Sequence, residues 1–272
     1  MPVFTDQAAR GTTMNALDDE RPLDEIARVE VQSAQALAQS MDDDGVGVLY
    51  DIVPAAILAK IRNGVAELVE QDGNRYFGFS GAQWISGTCL APLFEDAGLQ
   101  ALLRQLYTRK MGTLPPSDRI LPVMRVLSGK QGIRHSNNFH YDSYAVSILL
   151  PVLIPNDPGE QAGHLVMFPN LRNARRFAIV NIVEKAIVEK LLGRIWRLPH
   201  VQKWLSAKVV TLQPGNLYFI WGLRSLHANQ ACSPSSIRCT VLFHFGDPHE
   251  SSLLKGISHR LHAMRLRRMA RD

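Results

Sequence analysis

Apolar residues change their spacing part-way along the chain. In the first 112 residues they recur at helical intervals: Ile57, Leu58, Ile61, Val65 and Leu68 form one stripe, and Leu99, Leu102, Leu103 and Leu106 form another. Residues three and four apart share a helix face, so two amphipathic helices are predicted, the first opened by Pro54 and the second ended by Gly112 and the Pro115-Pro116 break. A weaker stripe from Leu23 to Met41 predicts an earlier helix stopped by Asp42-Asp43-Asp44-Gly45, and Val46 to Val53 reads as a strand. After Pro116 the helical spacing gives way to short apolar or β-branched runs: Ile120 to Leu127, Tyr144 to Ile154, His164 to Phe168, Lys208 to Leu212, Leu217 to Trp221 and Ile237 to Phe245. The expected architecture is mainly β with flanking helices.

One segment, about 171–207, interrupts the strands. Val183, Ile187, Val188, Leu191 and Leu192 stand at helical spacing there, and Arg172, Arg175, Arg176, Arg194 and Arg197 make it basic. A helical insertion is expected. Residues 1–22 show no periodicity and read as a mobile arm, and residues 251–272 read as a basic C-terminal helix. Residues 23–250 then form one domain, without internal repeats or low-complexity stretches.

The chain has 272 residues, of which 46% are hydrophobic and 20% charged, enough to bury a sizeable core. No apolar run reaches the roughly 20 residues of a membrane span, and the N-terminus lacks the apolar stretch of a secretory signal, so a cytoplasmic location is expected. Cys89, Cys232 and Cys239 are odd in number and form no CxxC pair, which argues for reduced thiols rather than disulfides or a zinc knuckle. The net charge of +5 comes from scattered basic residues plus a concentrated tail, Lys255 to Arg271, which reads as a solvated helix end and makes nucleic acid an unexpected partner.

The chemical signal lies among the strands. In Phe139-His140-Tyr141-Asp142, extended backbone puts His140 and Asp142 on one face, where they can bind one ion. A His-x-Asp triplet alone is weak. A second histidine, His227, follows the strand that ends at Trp221, and two histidines plus one carboxylate form the facial set that leaves the other positions of a non-haem iron open. Arg238 lies eleven residues after His227 inside an apolar strand. A buried guanidinium needs an anion to offset its desolvation, and its planar fork suits a carboxylate. Thr240, two residues on, shares its face, and Arg125 is the alternative cation. Asn137, Asn138, Tyr144 and His135 flank the metal motif and are candidate contacts to substrate or co-substrate. The cluster His244, Asp247 and His249 offers a rival metal site, although Gly246-Asp247-Pro248 fits a turn at a strand end better.

Four features, in order, resemble the 2-oxoglutarate/iron(II) dioxygenase superfamily: His140-Tyr-Asp142, the Gly163 to Pro169 element, Pro214-Gly215 leading to His227, and Arg238. The resemblance spans Val123 to Phe245. The strand and helix from Gly45 to Gln71 resemble the opening of the phytanoyl-CoA dioxygenase branch, and the Gly163 element is similar to that of prolyl-hydroxylase-like members. The resemblance implies a double-stranded β-helix (jelly-roll, cupin-like) core, with His140, Asp142 and His227 holding Fe(II), and Arg238 anchoring 2-oxoglutarate. Thr240, Arg125 and Asn138 are further candidates for co-substrate contact. O2 would be consumed, succinate and CO2 released, and a C–H bond oxidised. Family halogenases replace the acidic ligand by a small residue, so the intact Asp142 favours hydroxylation or a related oxidation.

The basic insertion has two readings. As a lid it would favour the carboxylate or phosphate groups of a small or carrier-linked substrate; otherwise it is a solvated helix. Two further function classes stay open: a catalytically silent β-barrel binding module, and a zinc hydrolase, which leaves Arg238 unexplained.

Overall fold

The computed structural model describes residues 34–71, 75–130, 136–155, 163–173 and 195–250. The predicted arm, the core of the basic insertion and the basic tail fall outside the described residues. Helix α1 (Ala34–Asp43) leads into β1 (Gly47–Leu49), and α2 (Ala55–Gln71) follows. Next come β2 (Phe77–Ser80), the short helices α3 (Ala82–Ile85) and α4 (Ala91–Glu95), and α5 (Ala97–Met111). The strand-rich half contains β3 (Ile120–Leu127), β4 (Val146–Leu153), β5 (Leu165–Phe168), a short helix α6 (Pro199–Trp204), β6 (Lys208–Val210), β7 (Leu217–Trp221), β8 (Leu226–Asn229) and β9 (Arg238–Phe245). Strands β2 and β8 have no counterpart in the hydrophobic pattern.

Both predicted amphipathic helices form, and they bury the expected stripes. Helix α2 turns Ile57, Leu58, Ile61, Val65 and Leu68 inward, and Arg62 Nε donates to Val152 O at 2.9 Å, which ties the helix to β4. The carboxylate of Asp96 caps α5 by accepting from Leu99 N at 2.6 Å, a bond of the kind that contributes about 1 kcal/mol. Gly112, at φ 73°, ends that helix in the left-handed region where glycine is favoured, and its N–H donates to Thr108 O.

Six strands pair antiparallel in the order β1-β7-β4-β9-β3-β2, and three in the order β6-β5-β8. Along the chain the strands alternate between the sheets: β3 and β4 lie in the large sheet, β5 and β6 in the small one, β7 in the large, β8 in the small and β9 in the large. His140, between β3 and β4, adds an isolated bridge to His227 on β8. The burial pattern of β4 explains its sequence: paired with β7 and β9, its residues Val146–Val152 are all buried. Pro151 cannot donate to a ladder, and the β4–β9 register shifts between Pro151 and Leu153.

Two apolar clusters flank the large sheet. On one face, Ile148, Phe219, Val241 and Phe243 pack with Leu37, Ile61, Leu99 and Leu103 of the helices. On the other, Leu149, Tyr218 and Ile220 meet Leu165 and Met167 of the small sheet, with Leu242 packed against them. Cross-strand neighbours share a face, so this second face also carries Arg125 opposite Thr240, and Ser147 opposite His244. Polar side chains therefore line the space between the sheets at both ends of an apolar middle rung, Leu149 opposite Leu242.

Candidate metal centre

Two backbone bonds, one in each direction, join His140 to His227, with His140 N donating to His227 O at 3.0 Å and His227 N to His140 O at 3.1 Å. This pairing brings together residues far apart in sequence. Asp142 is held by its own N–H, which donates to Gly222 O at 3.0 Å. Ligating atoms of His140, Asp142 and His227 consequently lie within 4.8 Å of one another. His140 Nε2 is 3.6 Å from Asp142 Oδ1, and His227 Nε2 is 3.6 Å from Asp142 Oδ2. These separations are too long for hydrogen bonds and short enough to be bridged by one ion with bonds of about 2.1 Å.

The imidazoles are prepared as ligands. His140 Nδ1 lies 2.9 Å from Asn138 O and His227 Nδ1 lies 3.0 Å from Ser225 O. A carbonyl only accepts, so each Nδ1 carries the hydrogen and each Nε2 turns a lone pair toward Asp142. Burial, reinforced by His227, pulls the His140 pKa down to about 3, which leaves it neutral at pH 7. Burial alone would raise the Asp142 carboxyl, but the neighbouring His227, His244 and His140 and the Ser147 hydroxyl outweigh it and hold it well below the usual carboxylate range. Two imidazoles whose Nε2 atoms converge on an ionised carboxylate form the donor set a divalent iron takes.

Arg238 opens β9 with only 4% of its surface exposed. Its Nε donates to Gly163 O at 2.6 Å and its NH1 to Thr240 Oγ1 at 3.3 Å. No carboxylate pairs with it among the described residues, and burial lowers its pKa to about 10. The approach to Gly163 is close: a Cβ there would stand 2.7 Å from Arg238 Cδ, and φ is +67°. Arg125, opposite Thr240, has a buried Nε with no hydrogen-bond partner among the described residues, and its charge lowers the pKa values of both Arg238 and His140. The two guanidiniums therefore face the space between the sheets from adjacent strands.

Other expected contacts take different roles. Asn138 gives the site its main-chain carbonyl, while its side-chain oxygen faces Arg197 NH2 at 3.4 Å. Arg172 is buried at 6% exposure, donates to Leu223 O at 2.6 Å and stacks 3.9 Å over the Tyr141 ring. It packs the fold from within, which corrects both the basic lid and the solvated helix face as the place expected of it; Arg175, Arg176, Arg194 and His135 lie outside the described residues. Asp247 Oδ1 accepts from His249 N at 2.9 Å, the local bond of a turn. His244 does not join a rival metal site with them. It turns instead to Ser147, whose hydroxyl donates to Asp142 Oδ2 at 2.6 Å. Ser147 and Gly222 have no place among the sequence candidates, although a serine in the apolar run of β4 was open to the argument that singled out Arg238. Cys89, Cys232 and Cys239 are buried and form no disulfide among the described residues, and burial pushes Cys239 up to about 12.

No protein-family model matches the chain, and no curated protein matches it in sequence. Solved structures do match. The chain is similar to a prolyl 4-hydroxylase from Phytophthora capsici, with TM-score 0.52 and 14% identity over 89% of this chain and 68% of that one. It is also similar to the non-heme α-ketoglutarate-dependent carbocyclase SnoK from nogalamycin biosynthesis, with TM-score 0.50 and 13% identity over 78% of this chain and 83% of that one. At such identities the likeness is one of fold: antiparallel sheets with flanking helices. No described helix is long and apolar enough to cross a membrane.

Proposed function

We propose that this protein is an Fe(II)- and 2-oxoglutarate-dependent oxygenase that oxidises a C–H bond of a small or carrier-linked molecule. The observation that carries the reading is the convergence of His140, Asp142 and His227, with both Nε2 lone pairs directed at one carboxylate. The strand order supports a double-stranded β-helix, since strands alternate between two sheets that enclose the triad. When bound, iron with 2-oxoglutarate and O2 supplies oxidising power, with succinate and CO2 as co-products.

The chain's own residues bind and orient. His140, Asp142 and His227 would hold the metal on one side. Arg238, fixed by Gly163 O and Thr240 Oγ1, presents its remaining N–H groups without reorganisation, which suits a distal carboxylate. Between these two ends the inner face is apolar through Leu149 and Leu242, a lining that accommodates methylene carbons and excludes water. A short dicarboxylate with an apolar middle has the same order of groups. A zinc hydrolase has no use for the Arg238 end.

Two readings of the substrate remain distinct. The β1–α2 opening supports the phytanoyl-CoA dioxygenase branch and a small-molecule substrate. The fold it shares with a prolyl 4-hydroxylase supports oxidation of a protein residue as the second reading. The test of the common claim is iron-dependent conversion of 2-oxoglutarate to succinate. The wild type should turn over slowly even without substrate, while His140→Ala, Asp142→Ala and His227→Ala should lose turnover and keep their fold. Equal turnover in all four proteins would refute the ligand assignment, and none in the iron-loaded wild type would favour a binding module.

A further inference from the structure

The face between the sheets carries polar groups that the ligand set itself does not use. Ser147 is fully buried on β4, opposite Ile220 on β7 and His244 on β9. Its hydroxyl lies 2.6 Å from Asp142 Oδ2 and 2.9 Å from His244 Nδ1. A carboxylate can only accept, so the one Ser147 proton goes to Asp142 and the serine oxygen must accept from His244. This fixes a directional chain from His244 Nδ1–H through Ser147 Oγ–H to Asp142 Oδ2. The Tyr144 ring stacks on the His244 imidazole, with centroids 5.2 Å apart and planes 22° from parallel. Gly222 closes the cradle: a Cβ there would fall 2.6 Å from Ser147 Oγ and 2.9 Å from Asp142 Cβ. Asp142 Oδ1 has no hydrogen bond among the described residues and lies 3.6 Å from His140 Nε2, while Oδ2 lies 3.6 Å from His227 Nε2.

We propose that Ser147 and His244 are positioning residues that fix the orientation of the Asp142 carboxylate toward the metal. The proposal rests on the metal assignment made above. Oδ2 keeps a second lone pair beside its short, buried, charge-assisted bond from Ser147, so that bond sets the direction of the carboxylate without taking an oxygen from the ion. The residues that aim the acidic ligand would then be a serine and a histidine that act through Asp142.

Titration of the apo-protein with Co(II), followed by its visible d–d bands, reads the ligand set without turnover. Ser147→Ala and His244→Phe should weaken Co(II) binding about 10–100-fold and shift the band envelope, the usual effect of removing a hydrogen-bond partner of a metal ligand. His244→Asn, whose amide can still donate to Ser147, should retain wild-type binding and spectrum. Apo melting temperatures separate positioning from misfolding. If Ser147→Ala does not fold, the His244→Phe and His244→Asn pair decides, because that side chain is 12% exposed and better able to tolerate exchange. Wild-type affinity and spectrum in both Ser147→Ala and His244→Phe, or equal loss in His244→Asn and His244→Phe, would overturn the proposal. A wild type that binds no Co(II) would overturn the metal assignment and this inference with it.

Discussion

Replacing Arg238 by Met separates what the guanidinium does for a ligand from what it does for the fold. In the apo-protein the side chain is a buried cation with no carboxylate partner among the described residues, held by Gly163 O and Thr240 Oγ1. Met removes the cost of burying that charge but leaves the Gly163 carbonyl without its donor, which costs about 1–3 kcal/mol. The two effects oppose each other, so the apo melting temperature should move by only a few degrees, about 2–4 °C per kcal/mol at this size. Ligand binding has no such compensation. Losing a buried charge-assisted pair costs about 2–5 kcal/mol, or roughly 30- to several-thousand-fold in 2-oxoglutarate affinity. At a hundred times Kd, 2-oxoglutarate should stabilise the metal-loaded wild type by about 2.7 kcal/mol. A hundredfold weaker site at the same concentration would retain only about 0.4 kcal/mol of that. Thermal unfolding of both proteins with redox-silent Mn(II), with and without 2-oxoglutarate, reads the difference. Arg238→Lys should fall between them, keeping the charge without the fork. The same 2-oxoglutarate shift in wild type and Arg238→Met would refute the assignment and point to Arg125 as the anchor.

Because the folded His140 pKa is about 3, against about 6.5 unfolded, the unfolded chain binds more protons between those values. Apo stability must therefore rise with pH through that window, and be lost as pH falls from about 6.5 toward 3. The depressed Asp142 carboxyl acts in the same direction at lower pH, its contribution being lost as pH falls below the ordinary carboxylate range. Urea midpoints should drop less steeply on acidification in His140→Ala than in the wild type, and parallel curves would contradict the cause given. Gly222→Ala forces a Cβ to within 3 Å of Ser147, Tyr144 and Asp142. It should cost about 1–3 kcal/mol and weaken metal binding; unchanged Co(II) affinity would show that the cradle yields. Arg172→Met should lower stability by about 2–3 kcal/mol through the lost contact with Tyr141 and the bond to Leu223 O, and leave 2-oxoglutarate turnover intact. An unaltered melting temperature would return that arginine to the candidates for ligand contact.

The parts of the fold that could be read from the sequence are those with a local signature. The stripes of α2 and α5, the apolar runs of β3, β4, β7 and β9, and the His140/Asp142 spacing all depend on neighbours within a few residues. Strand β8, Leu226–Asn229, is only four residues long and reads as a loop, because its strand character comes from pairing with β5 and with His140. Strand β2 is similarly short and contains Gly78, whose Cβ would stand 2.7 Å from Met124 O, so its pairing with β3 was hidden in a glycine. The same limit applies to the site. His140 and Asp142 announce themselves by spacing, whereas Ser147 and His244 become meaningful only when β4 and β9 are placed in register. Arg172 shows the converse: its position in a basic run suggested solvent, and its burial follows from Tyr141 and Leu223, which no local pattern links to it.

The most direct test of the central claim is anaerobic titration of the Fe(II)-loaded wild-type protein with 2-oxoglutarate, monitored in the visible region. If His140, Asp142 and His227 hold iron with adjacent positions open and Arg238 receives the far carboxylate, a metal-to-ligand charge-transfer band should grow to saturation at one equivalent per chain. It should be absent from His227→Ala and need far more 2-oxoglutarate in Arg238→Met. A wild-type protein that binds iron but develops no such band would contradict the account.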